Sequence, residues 1–472
     1  MEYYYNVSKK GKSEINQIKS SNLLENLKSK IILKKIFKNL KIIKSLEIIK
    51  YHKKAKQKLN MDINDYKEFS EAYSTIEIEI IPIKNNFDKF INIDKRDESY
   101  FHIYFNDDKK NKIKISCLNE KDRVTKINIL ISYQIKSFHR LFFRCKCIES
   151  IYFKKFVRKN INNMCEMFCY CSSLKEVNFS NANITKVTDM SGMFYDCSSL
   201  NKLNFSNSKT NDLLDMNCIF YGCSSLQDID LSDFRTEKLK FMSSLFYGCS
   251  SLKKINLTNF ITNNVTTMAY LFHGCSSLKV INLSNFNTIK LTNMNSMFHE
   301  CSSLKEINLS NFKTNNVINM SFLFNGCLSL TEINLSNFNT ANVINMSYMF
   351  SKCTSLKEIN LSNFNTAKVN NMSFMFNGCS SLKEINLSNF NTTNLINMSY
   401  MFSGCSSLKI INLSTFDFKN VTNMNSMFNQ CSSLKEIIID NIKTINKFDA
   451  LKMFEGCSGE FKEKMSLIFG LK

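Results

Sequence analysis

The sequence predicts an α/β solenoid of stacked rungs, preceded by a small α+β N-terminal region. Three observations carry this expectation. A cysteine recurs every 26 residues from Cys145 to Cys457, with no insertion or deletion. Around each one the same string repeats, close to CSSLKEINLSNFNTxNVxNMSxMFxG. Within each unit the apolar spacing changes from two to three, as it does when a short strand is followed by a helical face. A fixed period of this length marks a repeat architecture whose units stack.

Each unit is numbered here from its cysteine as position zero. Apolar residues fall at +3, +6, +8, +11, +16, +19, +22 and +23, seen in one unit as Leu330, Ile333, Leu335, Phe338, Val343, Met346, Met349 and Phe350. Glu332, Asn334 and Ser336 alternate with the first group, which predicts a strand with one side buried. The segment from Val343 to Phe350 predicts a short helix. Thr340 stands just before it, in a place that Thr holds in nine of twelve units. Its hydroxyl is expected to cap the helix. Gly at +25, present seven times, is expected to end the helix in a left-handed conformation. One unit alone buries too little apolar surface to fold, so neighbours must cover each other's faces. Parallel strands on adjacent rungs would then lie about 4.8 Å apart.

The chain divides into five regions on this reading. Residues 1–19 read as a flexible N-terminus. Residues 20–74 are lysine-rich, with Leu24, Leu27 and Ile31, then Ile36, Leu40 and Ile43, at helical spacing. Residues 75–144 switch to period two in TIEIEIIPI, FHIYFND, KIKIS and KINILIS, and predict a β-rich unit that leads into the solenoid. Residues 145–456 hold twelve 26-residue repeats. In residues 457–472 Glu460 replaces the +3 Leu, so this stretch is expected to close the array as a cap.

The segment LKEINLSNF reads as L-x-x-I-x-L-x-x-F and resembles the leucine-rich-repeat core, with Phe where Asn usually stands. Together with the downstream NMSxMFxGCSSL it resembles the BspA-like leucine-rich repeats, also called the mycoplasma-type lipoprotein repeat, over about residues 141–457. The resemblance implies a right-handed solenoid with a parallel sheet on one face and short helices on the other. It also implies adhesion or protein binding, often at cell surfaces. The run from Ile32 to Ile49 is similar to the helical core of an F-box, without that motif's Leu-Pro pair or its Trp. This gives the alternative of an adaptor that presents substrates to a ubiquitin ligase.

Net charge is +21. A basic balance admits acidic partners without identifying one. The basic segment has no aromatic interleaving, so nucleic acid is not expected, and its positive face is read as solvated rather than membrane-bound. The sequence shows no secretory signal and no run of 18 apolar residues. Asn at +7 and Ser or Thr at +9 form N-x-S/T in most repeats. Glycans on successive strands could not all fit, which favours a cytoplasmic setting over the cell surface that the resemblance implies.

No nucleophile–base set, paired-carboxylate site or phosphate loop is found, so no catalytic role and no cofactor are expected. One cysteine per rung is poor tetrahedral geometry, so no metal is expected and the thiols are read as small buried side chains. The candidate ligand surface is the outward strand face. Its residues are Glu306, Asn308, Glu332, Asn334, Glu358, Asn360, Glu384 and Asn386, with Asp228 and Asp230 where the face departs from the consensus. The expected partner is a protein bound by a rigid, preformed surface.

Overall fold

The computed structural model describes residue 57 and residues 70–108, 110–439 and 449–470. Most of the basic segment, the F-box-like run, Asp440 and the Thr at position 444 lie outside these residues. The chain forms two compact units, Met1–Thr75 and Ile76–Lys472. In the first, residues 70–72 are helical and Ser74 Oγ donates to Glu71 O at 2.8 Å.

The second unit opens with three strands, β1 (Ile76–Pro82), β2 (Phe101–Phe105) and β3 (Ile127–Ile131). All alternate buried and half-buried side chains at their starts, as period two requires. KIKIS, expected as a strand, contributes only the bridge of Ile113 to Ile103. β3 pairs antiparallel with both β1 and β2, and β1 pairs antiparallel with β4 (Ile148–Lys155), the strand of the first rung. β4 then runs parallel to β5 (Glu176–Asn178), and β5 to β6 (Lys202–Asn204). The six-stranded sheet therefore turns from antiparallel to parallel at β4. Its N-terminal strands cover an edge that the first rung would otherwise expose.

Beyond β6 the 26-residue rungs continue in register. The apolar columns read from one rung are buried in nearly every rung except at +6, where Leu203, Ile255, Ile307 and Ile333 are half-buried; Leu330, Val343, Met346, Met349, Phe350 and Cys353 are all fully buried. At the far end α1 (Gly459–Ile468) turns Phe461 and Met465 inward. Phe461 and Phe469 pack against Phe454 at 5.9 and 5.6 Å between ring centres.

Two expectations about the rung require correction. The segment from Val343 to Phe350 is not a helix, and α1 is the only α-helix longer than one turn among the described residues. Its amides alternate between two kinds of acceptor. Met349 and Ser351 donate back three residues, to Met346 O and Tyr348 O, while Met346, Tyr348 and Phe350 donate to Asn371, Ser373 and Met375 in the next rung. An α-helix would keep all these bonds inside itself and needs about 8–10 Å to its neighbour. Equivalent rings in successive rungs here lie much closer, 4.3 Å from Tyr348 to Phe374 and 5.6 Å from Phe350 to Phe376. Consecutive tight turns satisfy that spacing because half of their amides bond across it. Tyr348 at +21 takes a left-handed φ of 59°, and Gly326 at +25 one of 75°. The +25 glycine therefore has the expected conformation, but it ends a turn rather than a helix.

Nor does Thr340 cap anything. Its hydroxyl donates to Asn365 O at 2.9 Å and accepts from Asn365 N at 2.8 Å, fastening its rung to the next. Thr314 and Thr366 make the same pair of bonds to Asn339 and Asn391. The cysteines act similarly. Cys353 Sγ donates to Phe324 O, 29 residues back, at 3.2 Å, and Cys379 to Phe350 O at 3.1 Å. Burial pushes both thiols up, away from the reactive thiolate.

The third difference is in the sheet. Twelve strands were expected in one continuous ladder. After β6 the structure shows only pairs: β7 (Asp228–Asp230) with β8 (Lys254–Asn256), β9 (Val280–Asn282) with β10 (Glu306–Asn308), and β11 (Ile410–Asn412) with β12 (Glu436–Ile438). The rungs of Glu332, Glu358 and Glu384 have no strand pairing. At the +11 column Phe260–Phe286, Phe312–Phe338 and Phe390–Phe416 are 6.4–6.5 Å apart, each between rungs whose strands are unpaired. Along the aromatic edge the separation is 4.3–4.4 Å. The ring columns are thus spaced more widely on the strand side than along the aromatic edge, although Lys357 N and Lys383 N still donate across rungs at +4, to Thr331 O and Lys357 O. Glu306, Glu332, Glu358 and Glu384 at one position of successive rungs add like-charge repulsion to the same side.

Candidate functional site: the strand face and the aromatic edge

The rungs without strand pairing also line an opening on the described surface. An open groove of about 960 Å³ runs across four successive rungs. Glu306, Glu332, Glu358, Glu384, Asn334, Asn360 and Asn386 line it, over a floor of Ile307, Ile333, Ile359 and Ile385. All four glutamates are exposed. Seven of the ten residues expected on a ligand surface thus share one groove. Asn308 is exposed on β10 but is not part of the lining, and Asp228 and Asp230 lie on β7, away from it.

The asparagine column has a structural duty that its exposure conceals. Asn334 Oδ1 accepts from Ser336 N at 3.0 Å, and Asn360 and Asn386 do the same for Ser362 and Ser388. Asn308 holds Ser310 in this way. Each side chain closes a local turn with its oxygen and keeps its two N–H donors free to face a ligand. Asp230 makes the equivalent bond to Ser232 N, and its hydrogen bond with the Ser232 side chain holds its carboxyl below the usual carboxylate range. Asp228 lies in register with Lys254 of β8.

Lysines at +4 were missed as site residues. Lys305 lines the groove beside Glu306. Lys357 and Lys383, with Thr331, border a second opening that shares Glu332, Glu358 and Glu384. The signal was available in the repeat, since Lys stands at +4 in eight of the twelve rungs and is followed by Glu in five of them. The groove therefore presents adjacent columns of cations, carboxylates and amide donors over an apolar floor. Such a surface can take up an extended segment carrying both charge signs and apolar side chains; nothing in it resembles a nucleophile–base pair.

A second linear feature runs along the turn segments of successive rungs. Tyr195, Tyr221, Tyr247, His273 and His299 occupy one column, with 4.2–4.4 Å between successive ring centres. The ladder then shifts to Phe322, Tyr348, Phe374 and Tyr400. His273 and His299 look scattered in sequence, yet their separation of one period makes them neighbours. Burial drives His273 down to about 4, with the nearby His299 charge adding to the effect, and its Nδ1 is buried without a partner. Burial also lowers His299. In the unfolded chain His273 takes up a proton below its ordinary value of 6.5. Its contribution is therefore complete above that value and is lost as pH falls toward about 4. His273→Tyr, which extends the tyrosine run, is expected to remove about 1–2 kcal/mol of acid destabilisation between pH 7 and 4.5. Urea midpoints of both proteins at those two pH values measure the difference.

Among the described residues, no group of three or more His, Cys, Asp or Glu is placed to hold a metal ion, and no helix is long and apolar enough to cross a membrane. All eighteen cysteines are free thiols.

Rungs of 26 residues stacked in register, most with the L-x-x-I-x-L strand segment and the others with a close variant of it, define a leucine-rich-repeat solenoid. The family described as "Mycoplasma protein of unknown function, DUF285" matches residues 136–260, 216–307, 240–360 and 355–467, and the chain belongs to it. No match is found among curated proteins. Among solved structures the chain is similar to a leucine-rich repeat protein from Eubacterium ventriosum, at 18% identity over 67% of this chain and 84% of that one, with a TM-score of 0.33. It is also similar to a chain of the TLR13–ssRNA13 complex, at 14% identity over 64% of this chain and 60% of that one, with a TM-score of 0.18.

Proposed function

We propose that the protein is a non-catalytic binding solenoid of the BspA-like type, acting as a scaffold or adhesion surface for another protein in a cytoplasmic setting. The observation that carries this reading is the groove over four nearly identical rungs, where Glu306, Glu332, Glu358 and Glu384 face out above an isoleucine floor. A surface built from stacked rungs is fixed before the partner arrives, so binding orders few of its own side chains. Rim charges chiefly set encounter rate and orientation, while the apolar floor is where tight contact would form. The cytoplasmic setting rests on the exposed N-x-S/T asparagines, such as Asn334, Asn360 and Asn386, which stand on successive rungs too close together for a glycan each.

The test is affinity purification of the full chain from its own cells beside a variant carrying Glu306→Lys, Glu332→Lys, Glu358→Lys and Glu384→Lys. These side chains are exposed, so the variant is expected to fold. The expected result is loss of the proteins held by the wild type, with binding that weakens as salt rises. An unchanged set of captured proteins would place the binding surface elsewhere.

A further inference from the structure

The first rung differs from the others at one buried position. At +13, eight described rungs place a threonine that bonds to the next rung, while the second rung places Ile184 and the eleventh Phe418. The first rung places Arg158 there. Arg158 is fully buried, and its Nε, Nη1 and Nη2 atoms have no hydrogen-bond partner. The rung that carries it turns Phe156 and Ile161 into the core, and the next rung presents Ile184 at the equivalent place. Phe156 in turn packs on Phe138 at 5.9 Å. No carboxylate acts on the guanidinium; burial alone lowers its pKa, to about 10. Asn160 Oδ1, two residues on, is also buried and unbonded, so the guanidinium does not use it.

A guanidinium cannot shed its charge at neutral pH, and its five N–H donors are directed in a flat fork. Held unpaired in an apolar core it is a standing cost of several kcal/mol. What relieves that cost is set by its shape and charge. A planar oxyanion accepts two of the parallel N–H bonds at once. A single negative charge cancels the single positive one, whereas a dianion would leave a net charge in the core. We propose that Arg158 is the centre of a buried binding site for a small monovalent oxyanion of the carboxylate class, at the junction of the N-terminal strands and the first rung. Such an ion binds the folded chain and not the unfolded one, so it stabilises the solenoid at the end where stacking begins.

The test is thermal unfolding of the full chain, dialysed into a zwitterionic buffer with sulfate as the only inorganic anion. Sodium formate is then titrated in at constant ionic strength, with wild type and Arg158→Thr compared. Threonine is what most rungs carry at this position, so the variant is expected to fold. The wild-type midpoint is expected to rise by several degrees and saturate with formate. The variant should start higher than the wild type in sulfate alone and show no saturable rise. A wild-type midpoint indifferent to formate, or an equal rise in both proteins, would overturn the proposal.

Discussion

Phe350→Ala is expected to destabilise the solenoid by about 3–5 kcal/mol. The ring is fully buried and stacks on Phe324 at 5.7 Å and on Phe376 at 5.6 Å. Removing it opens a cavity shared by three rungs, and none can close it without breaking the spacing of the others. Alanine keeps the backbone amide that donates to Met375 O, so the loss reports packing rather than hydrogen bonding. Urea denaturation followed by circular dichroism gives the size of the effect. A loss under 1 kcal/mol would mean that the phenylalanine column is not a common core.

Thr340→Val is expected to cost about 2–4 kcal/mol. The two side chains match in shape, so packing is preserved. What disappears is the hydroxyl that serves both Asn365 O and Asn365 N. The side chain is buried, and water cannot replace either bond without entering the core. Thr340→Ser keeps the hydroxyl and should cost less than about 1 kcal/mol by comparison. If serine and valine prove equally damaging under the same denaturation, the bonds between rungs are not what the threonine contributes.

These two residues also show what could be read from the sequence. Phe350 recurs at a fixed place in every unit, and a residue that repeats in that way in a stack must contact its own copies. That made the core columns, and the groove columns of Glu332 and Asn334, legible from a single unit. The conformation around Phe350 was not legible in the same way. Apolar spacing of three, three and one fits a helical face, and it also fits consecutive tight turns. The choice between them is made by the distance to the next rung, which no single unit reveals. The clue that could have helped was hidden, because the left-handed +21 position is filled by Tyr348, Phe374 and Tyr400 and not by glycine. Thr340 was misread for the same reason. Its partner is 25 residues away, and local sequence suggested only the neighbouring amides. The gap in the strand ladder goes with two columns of rings of unequal spacing, 4.3 Å at Tyr348–Phe374 and 6.5 Å at Phe312–Phe338. A pattern of residue types carries no such distances. Arg158 was visible in the sequence as a break in the threonine column, but its complete burial was not.

The central claim is that bonds along the turn edge, more than a β-sheet, hold the rungs together in the middle of the solenoid. Backbone amide hydrogen exchange resolved to single residues tests it most directly. The amides of Met346, Tyr348 and Phe350 all donate to the next rung and should exchange slowly, whereas those of Ile333, Asn334 and Leu335 make no backbone bond and should exchange orders of magnitude faster. Equal protection of the two groups would show a continuous strand ladder and contradict the account.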